Sequence, residues 1–184
     1  VELPSQIMET WCNEKEALEL FAYHYKTREL IPMELVQKIK ASATFQEGMQ
    51  TLRQLSFGLL DMAWHNQDTS NIDNVKTFEV NAFEGTQFYP DTSETCMSTS
   101  FAHIFQGGYS AGYYSYKWAE VLDADAFAYF KEHGIFNAEI ATKFKDHVLS
   151  KGGTENPMEL YKRFRGQEPK IEALLERAGR IGES

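Results

Sequence analysis

From Phe101 to Trp118 the chain reads FAHIFQGGYSAGYYSYKW, eighteen residues that hold one histidine, an adjacent pair of glycines and four tyrosines. A phenol donates and accepts hydrogen bonds and stays neutral near pH 7. A row of phenols therefore suits a site where negative charge develops only during a reaction, since fixed neutral donors stabilise that charge as it forms. Read as a helix beginning just after Gly107 and Gly108, the stretch places Tyr109, Tyr113 and Tyr116 on one face at i, i+4 and i+7. Tyr114, Trp118 and Val121 fall on another. His103 lies six residues before Tyr109, across the glycine pair. A lone histidine is more often structural than catalytic, and tyrosine packs well in a core with its hydroxyl at the surface. Gly107 and Gly108 tilt the balance toward a ligand-facing surface, because they remove side chains that would block a peptide backbone and let the loop flex.

A second candidate stands at the start. Glu2, Gln6 and Glu9 follow i, i+4 and i+7, so two carboxylates and an amide line one helix face. A carboxylate steadied by neighbouring hydrogen-bonding side chains is a plausible metal ligand with an outer shell. Acids near a helix N-terminus are also favourable with no metal at all. His24, His65, His133 and His147 sit at scattered helical positions and read as structural. Lys162, Arg163 and Arg165 read as a solvated helix end, with the alternative that a guanidinium holds a peptide carboxylate. No H-E-x-x-H, P-loop, G-x-S-x-G or G-x-G-x-x-G motif occurs in the sequence. No self-contained active site is visible in it.

The elements that must position these residues are helical. The apolar periodicity predicts helix from about Pro4, with Asn13 as a cap before a second stripe of Leu18, Phe21, Ala22 and Tyr25. Further helices are expected from Pro32 to about Ala41, over Phe45 to His65 and over Val75 to Phe83. Gly58 is a weak point, worth about 1 kcal/mol against Ala. Asn66 to Asn74 reads as a loop, and Gly85 to Ser100 as a long connection of the kind that tends to be functional. Beyond Trp118 a helix should stop at Gly134. Asn137 should cap the next, running to Gly152 and Gly153, and Asn156-Pro157 should open a short one stopped by Gly166. With no convincing strand the expected fold class is all-α.

Composition narrows the partners. With 184 residues and 42% hydrophobic content the chain can bury a substantial core, and its net charge of -9 argues against nucleic acid. Cys12 and Cys96 are too few for a disulfide framework and lack metal-ligand spacing, so a reducing, cytoplasmic setting is expected. No apolar run is long enough to span a bilayer, so no membrane partner is expected.

Three separated motifs, VELPSQIMETW, FAHIFQGGYSAGYYSYKWAEVLDADAF and SKGGTENPMELYKRFRGQEP, together resemble the thimet oligopeptidase family of zinc metallopeptidases. The resemblance runs over essentially the whole chain. It implies a largely helical, two-lobed enzyme with a deep channel for short peptides, in which metal-activated water performs the hydrolysis. In that family an H-E-x-x-H helix supplies two zinc histidines and the general base, and a downstream Glu in an E-x-P-S-Q context completes the metal site. Glu2 matches that position, and Glu9 is a weaker suggestion for an outer contact. His103, Tyr109 and Tyr116 match the residues that hold substrate and stabilise the tetrahedral intermediate, with Gly107, Gly108 and Tyr113 beside them as substrate-binding. Residues 1–184 would then be the C-terminal part of the catalytic domain, cut just after the H-E-x-x-H segment. Alone it is expected to hold no catalytic zinc and to be inactive, and to pair with a second copy through exposed apolar surface. The alternatives are a peptidyl-dipeptidase that releases C-terminal dipeptides and a non-catalytic helical scaffold.

Overall fold

Helix α1, Leu3–Thr10, starts where Pro4 can occupy the first turn without losing a useful N–H. It runs into a tight turn, Trp11–Asn13, whose tryptophan donates Nε1–H to the carbonyl of Ile135 at 3.0 Å. The structure, a computed structural model, describes residues 1–179. Asn13 is not the cap expected of it: the turn that seats Trp11 extends through Asn13, and Glu14, with extended backbone, precedes α2, Lys15–Phe21. That helix also stops short of Tyr25. Ile31 donates its N–H to the carbonyl of Ala22 at 2.9 Å and Tyr23 bridges Leu30, so the chain turns back on itself. Helix α3, Met33–Ala43, then follows Pro32.

The long helix α4, Glu47–His65, and α5, Val75–Ala82, flank the expected loop, and the Asn74 side chain caps α5 by accepting from Thr77 N–H at 2.9 Å. After the connection comes the single turn α6, Ala102–Phe105, and then α7, Ser115–His133, which ends at Gly134 with φ +97°. Asn137 caps α8, Ala138–Phe144, through the N–H groups of Glu139 and Ile140. One helix was expected from there to the Gly152-Gly153 pair, but the turns widen over Lys145–Leu149. Asn156 caps α9, Pro157–Arg165, which Gly166 closes at φ +83°, and α10, Glu172–Arg177, follows. Among the described residues the elements are helices and one isolated bridge, so the fold is all-α.

The chain divides into two compact units, with one division inside α7. The first comprises residues 1–45 and those from Trp118 onward. Its core gathers Leu3 and Ile7 of α1 with Phe127, Phe130, Phe144 and Phe164, and Trp11 meets Phe127 and Phe130 edge-on at 4.7 and 5.0 Å. Each such side chain contributes about 1.5–3 kcal/mol on burial. Two carboxylates are buried with them. Asp125 accepts from the Tyr161 hydroxyl at 2.6 Å and from Arg165 Nε at 3.1 Å, and Asp123 pairs with Arg177. The second unit, Gln46–Lys117, has a smaller core of Phe57, Leu60, Phe101 and Ile104.

Candidate functional site

The tyrosine stretch lies in the second unit, and it is not helical where a helix was expected. Residues 110–114 form consecutive turns, and α7 begins only at Ser115. The cause is Asp61 on α4, fully buried, whose carboxylate accepts the N–H of Ala111 at 2.8 Å and of Tyr113 at 2.9 Å. Amides bound to a carboxylate cannot join a helical ladder. Ala111 also has φ +54°, a left-handed conformation that breaks helix. Ser110 Oγ donates to the carbonyl of Ile104 at 2.5 Å, and His65 Nδ1 meets the same Asp61 oxygen that Ala111 reaches, at 2.9 Å. The structural reading of His65 thus acquires a definite partner.

The turn nonetheless gathers the residues that the spacing suggested. The rings of Tyr109 and Tyr116 stack at 5.0 Å, Tyr113 lies 5.0 Å from Tyr116, and His103 lies 6.0 Å from Tyr109 and 6.2 Å from Tyr113. His103 is exposed while the three phenols are half-buried. Tyr113 also packs on Phe57 and Phe101, and its hydroxyl pKa is raised by burial and by the neighbouring Tyr116, with Arg53 acting the other way. It therefore stays a neutral donor well into alkaline solution. Tyr114 and Trp118, read onto a different face from the other three phenols, are exposed.

The glycines have local reasons that differ from the one expected. A Cβ on Gly107 would stand 2.9 Å from both Cα and O of His103, so the missing side chain makes room for the chain's own backbone. Gly108 adopts φ +82°, which glycine alone takes without strain. Together they bend the chain so that Tyr109 N–H reaches the carbonyl of His103 at 3.1 Å.

A second buried carboxylate, Glu79 of α5, does for the preceding connection what Asp61 does for the turn. It accepts from Met97 N–H at 2.9 Å and from the N–H and hydroxyl of Ser98 at 2.5 and 2.8 Å, while Lys76 ties Asp91 at 2.6 Å. Burial alone would raise the Glu79 pKa, but the donors from Ser98 and Met97 prevail and hold it low. The connection borders a cavity of about 720 Å³, with Phe57, Phe83 and Met97 on its wall and Arg53 at its edge.

Glu2 precedes α1, half-buried, and its carboxylate accepts from Ser5 Oγ at 3.1 Å. Glu9 lies about 10 Å further along the same helix, too far to share an ion directly. It is exposed, and its charge is a minor contributor to a raised Asp123 pKa, set first by burial and opposed by Arg177. Among the described residues no three His, Cys, Asp or Glu side chains stand together as a metal site. The basic cluster is committed elsewhere: Arg165 to Asp125 and Glu132, Arg163 to Glu155, Lys162 to Glu159 and Glu168.

Sequence reasoning missed Asp61, Glu79 and Arg53. For Asp61 a signal existed: a carboxylate beside Leu60 on an otherwise apolar stretch of α4 needs a compensating partner.

Against known proteins, the family description "Peptidase family M3" matches residues 1–180. Oligopeptidase A of Escherichia coli (strain K12) is 48% identical over 181 residues, covering 97% of this chain and 26% of that protein. Organellar oligopeptidase A, chloroplastic/mitochondrial, of Arabidopsis thaliana is 40% identical over 189 residues, 100% of this chain and 24% of its own length. Dipeptidyl carboxypeptidase of Escherichia coli (strain K12) is 36% identical over 181 residues, with 97% and 27% covered. The chain spans about a quarter of the length of the curated relatives it matches. Among the described residues no helix is long and apolar enough to cross a membrane.

Proposed function

The chain belongs to peptidase family M3, and from that membership we propose that residues 1–184 are the C-terminal part of the catalytic domain of a zinc-dependent oligopeptidase that cleaves short peptides. The observation that carries the reading is the gathering of His103, Tyr109, Tyr113 and Tyr116 on one turn fixed from below by Asp61. Hydrolysis of a peptide bond turns a neutral carbonyl into an oxyanion, and the phenols of Tyr109 and Tyr116 with the imidazole of His103 are suited to donate to it. Because Asp61 already fixes the turn, little reorganisation is needed when that charge forms. Tyr113, kept neutral by its surroundings, and the backbone at Gly107 and Gly108 would hold the substrate backbone. The relatives' names, oligopeptidase A and dipeptidyl carboxypeptidase, agree with peptide substrates.

Zinc enters this reading through the family likeness and through Glu2, which would be one ligand and which Ser5 already orients. The described residues do not fit a complete site, because a catalytic zinc takes three protein ligands plus water and Glu2 belongs to no such group. We therefore propose that the chain by itself binds no catalytic zinc and cleaves no peptide. Titration calorimetry with Zn²⁺ should give no tight one-to-one binding, and such binding would overturn this part. We place the protein in the cytoplasm, and expect the isolated chain to self-associate through apolar faces such as Leu55, Leu59 and Met62, all exposed on α4.

The main test is Tyr116→Phe in the complete protein that carries this chain. Turnover should fall by about 10²- to 10³-fold with little change in KM, since the hydroxyl is used only once charge develops. Unchanged turnover would remove Tyr116 from the role.

A further inference from the structure

The face of α4 that meets the tyrosine turn carries Arg53, Phe57 and Asp61 at successive i, i+4 spacing. Asp61 holds the turn's backbone and Phe57 touches the Tyr113 ring at 5.8 Å. Arg53 lies with its guanidinium 4.6 Å from the centre of the Phe57 ring, exposed to solvent and close enough to influence Tyr113 electrostatically. It borders the cavity of about 720 Å³.

The charges around this cavity are unequal in a telling way. Glu79 is satisfied by Met97 and Ser98, and Asp91 is paired with Lys76. Arg53 has no carboxylate within ion-pair distance among the described residues, although the chain carries a net charge of -9. A guanidinium laid on an aromatic ring keeps its N–H fork aimed outward, ready for a bidentate contact with a carboxylate. The remaining wall is largely apolar, from Leu52, Phe57, Phe83 and Met97. A cavity of this size and lining suits one or two apolar side chains beside a single anionic group.

We propose that Arg53 receives the terminal carboxylate of a peptide whose scissile bond lies against His103 and the tyrosines, with the peptide's last side chains in the cavity. Arg53 is then the residue that sets a preference for free C-termini. This rests on the peptidase reading above.

The test uses the complete protein and two peptides of one sequence, one a free acid and one C-terminally amidated. The wild type should cleave the acid with kcat/KM about tenfold above the amide, chiefly through KM, as expected for one charge-assisted contact at an accessible site. Arg53→Gln should bring kcat/KM on the acid down to that on the amide, abolishing the difference between the two peptides, while a circular dichroism spectrum and denaturation midpoint matching the wild type show that the variant folds. Arg53→Lys should retain part of the preference. A wild type indifferent to amidation, or a preference that survives in Arg53→Gln, overturns the proposal while leaving the peptidase reading intact. No cleavage of either peptide by the wild type removes the peptidase reading and this inference with it.

Discussion

Both units bury carboxylates, and they satisfy them differently. In the first, Asp125 and Asp123 face the guanidinium groups of Arg165 and Arg177, side chain against side chain between helices. In the second, Asp61 and Glu79 face backbone N–H groups, those of the turn at residues 111–113 and those at the start of a single 3₁₀ turn, Met97–Thr99. A pair of side chains fastens elements that would form anyway. A carboxylate bound to amides dictates the backbone path of a segment with no period of its own. The first unit is therefore held by its core and the second is shaped by its acids, and the tyrosines belong to the shaped one.

The largest effect should come from breaking a pair in the first unit. Asp125→Ala leaves the Arg165 guanidinium, whose side chain is 12% exposed, with only the more distant Glu132 at 3.9 Å, and the Tyr161 hydroxyl with only the Leu122 carbonyl at 3.2 Å. Removing one partner of a buried ion pair costs about 3–5 kcal/mol, so the denaturation midpoint of this chain should drop sharply. A loss under about 1 kcal/mol would mean the pair only breaks even with solvation and would weaken the contrast.

Next come two changes in the second unit with a local signature. Gly107→Ala forces a methyl into the backbone of His103 and should cost about 1–3 kcal/mol, as overpacking does. Asp61→Asn keeps the shape but turns one acceptor into a donor aimed at an N–H, worth about 1–3 kcal/mol for the amide left unsatisfied. Either should abolish slow hydrogen exchange at Ala111 and Tyr113 and alter the near-ultraviolet circular dichroism of the tyrosine cluster, with the first unit's amides unchanged. Equal loss of protection in both units would merge what the geometry separates.

The same contrast decides what could be read in the sequence. Caps and stops are local chemistry, so Asn137, Asn156-Pro157, Gly134 and Gly166 announce themselves, and the structure places each at its helix end. The turn at residues 110–114 does not announce itself. Spacing suggests a helix, and the carboxylate that prevents it is 50 positions away from Ala111. The proximity of the four aromatic residues survived that error, because turns of this tightness also bring Tyr109, Tyr113 and Tyr116 to one side. Arg53 was invisible for a similar reason: periodicity reports which face is buried, not which charge lacks a partner.

Acid separates the units by sign. The Glu79 pKa is held below the ordinary 4.5, so its stabilising contribution is present above that value and is lost as pH falls through its folded pKa. The Asp123 pKa is raised from 3.8, so its contribution is present below 3.8 and is lost as pH rises through its folded value. On acidification below about pH 4, a window set by these carboxylate ranges, exchange at Met97 and Ser98 should accelerate before that around Asp123 does. The reverse order would show that burial, not donation from the 97–98 amides, governs Glu79.

The smallest change probes whether α4 itself limits the second unit. Gly58 sits inside this helix, where glycine costs about 1 kcal/mol relative to alanine. A Cβ there would meet the nearest atoms, those of Tyr114, at 3.9 Å, ordinary contact that asks nothing to move. Gly58→Ala should therefore stabilise this chain by about 0.5–1 kcal/mol, visible as a raised denaturation midpoint. If the acids shape the segments independently of helix stability, protection at Ala111, Tyr113, Met97 and Ser98 should rise by no more than that global gain. A larger rise confined to Ala111 and Tyr113 would mean that fraying of α4 near Asp61 limits the tyrosine turn, and the rigidity of the helix would then join the carboxylate as what holds the turn in place.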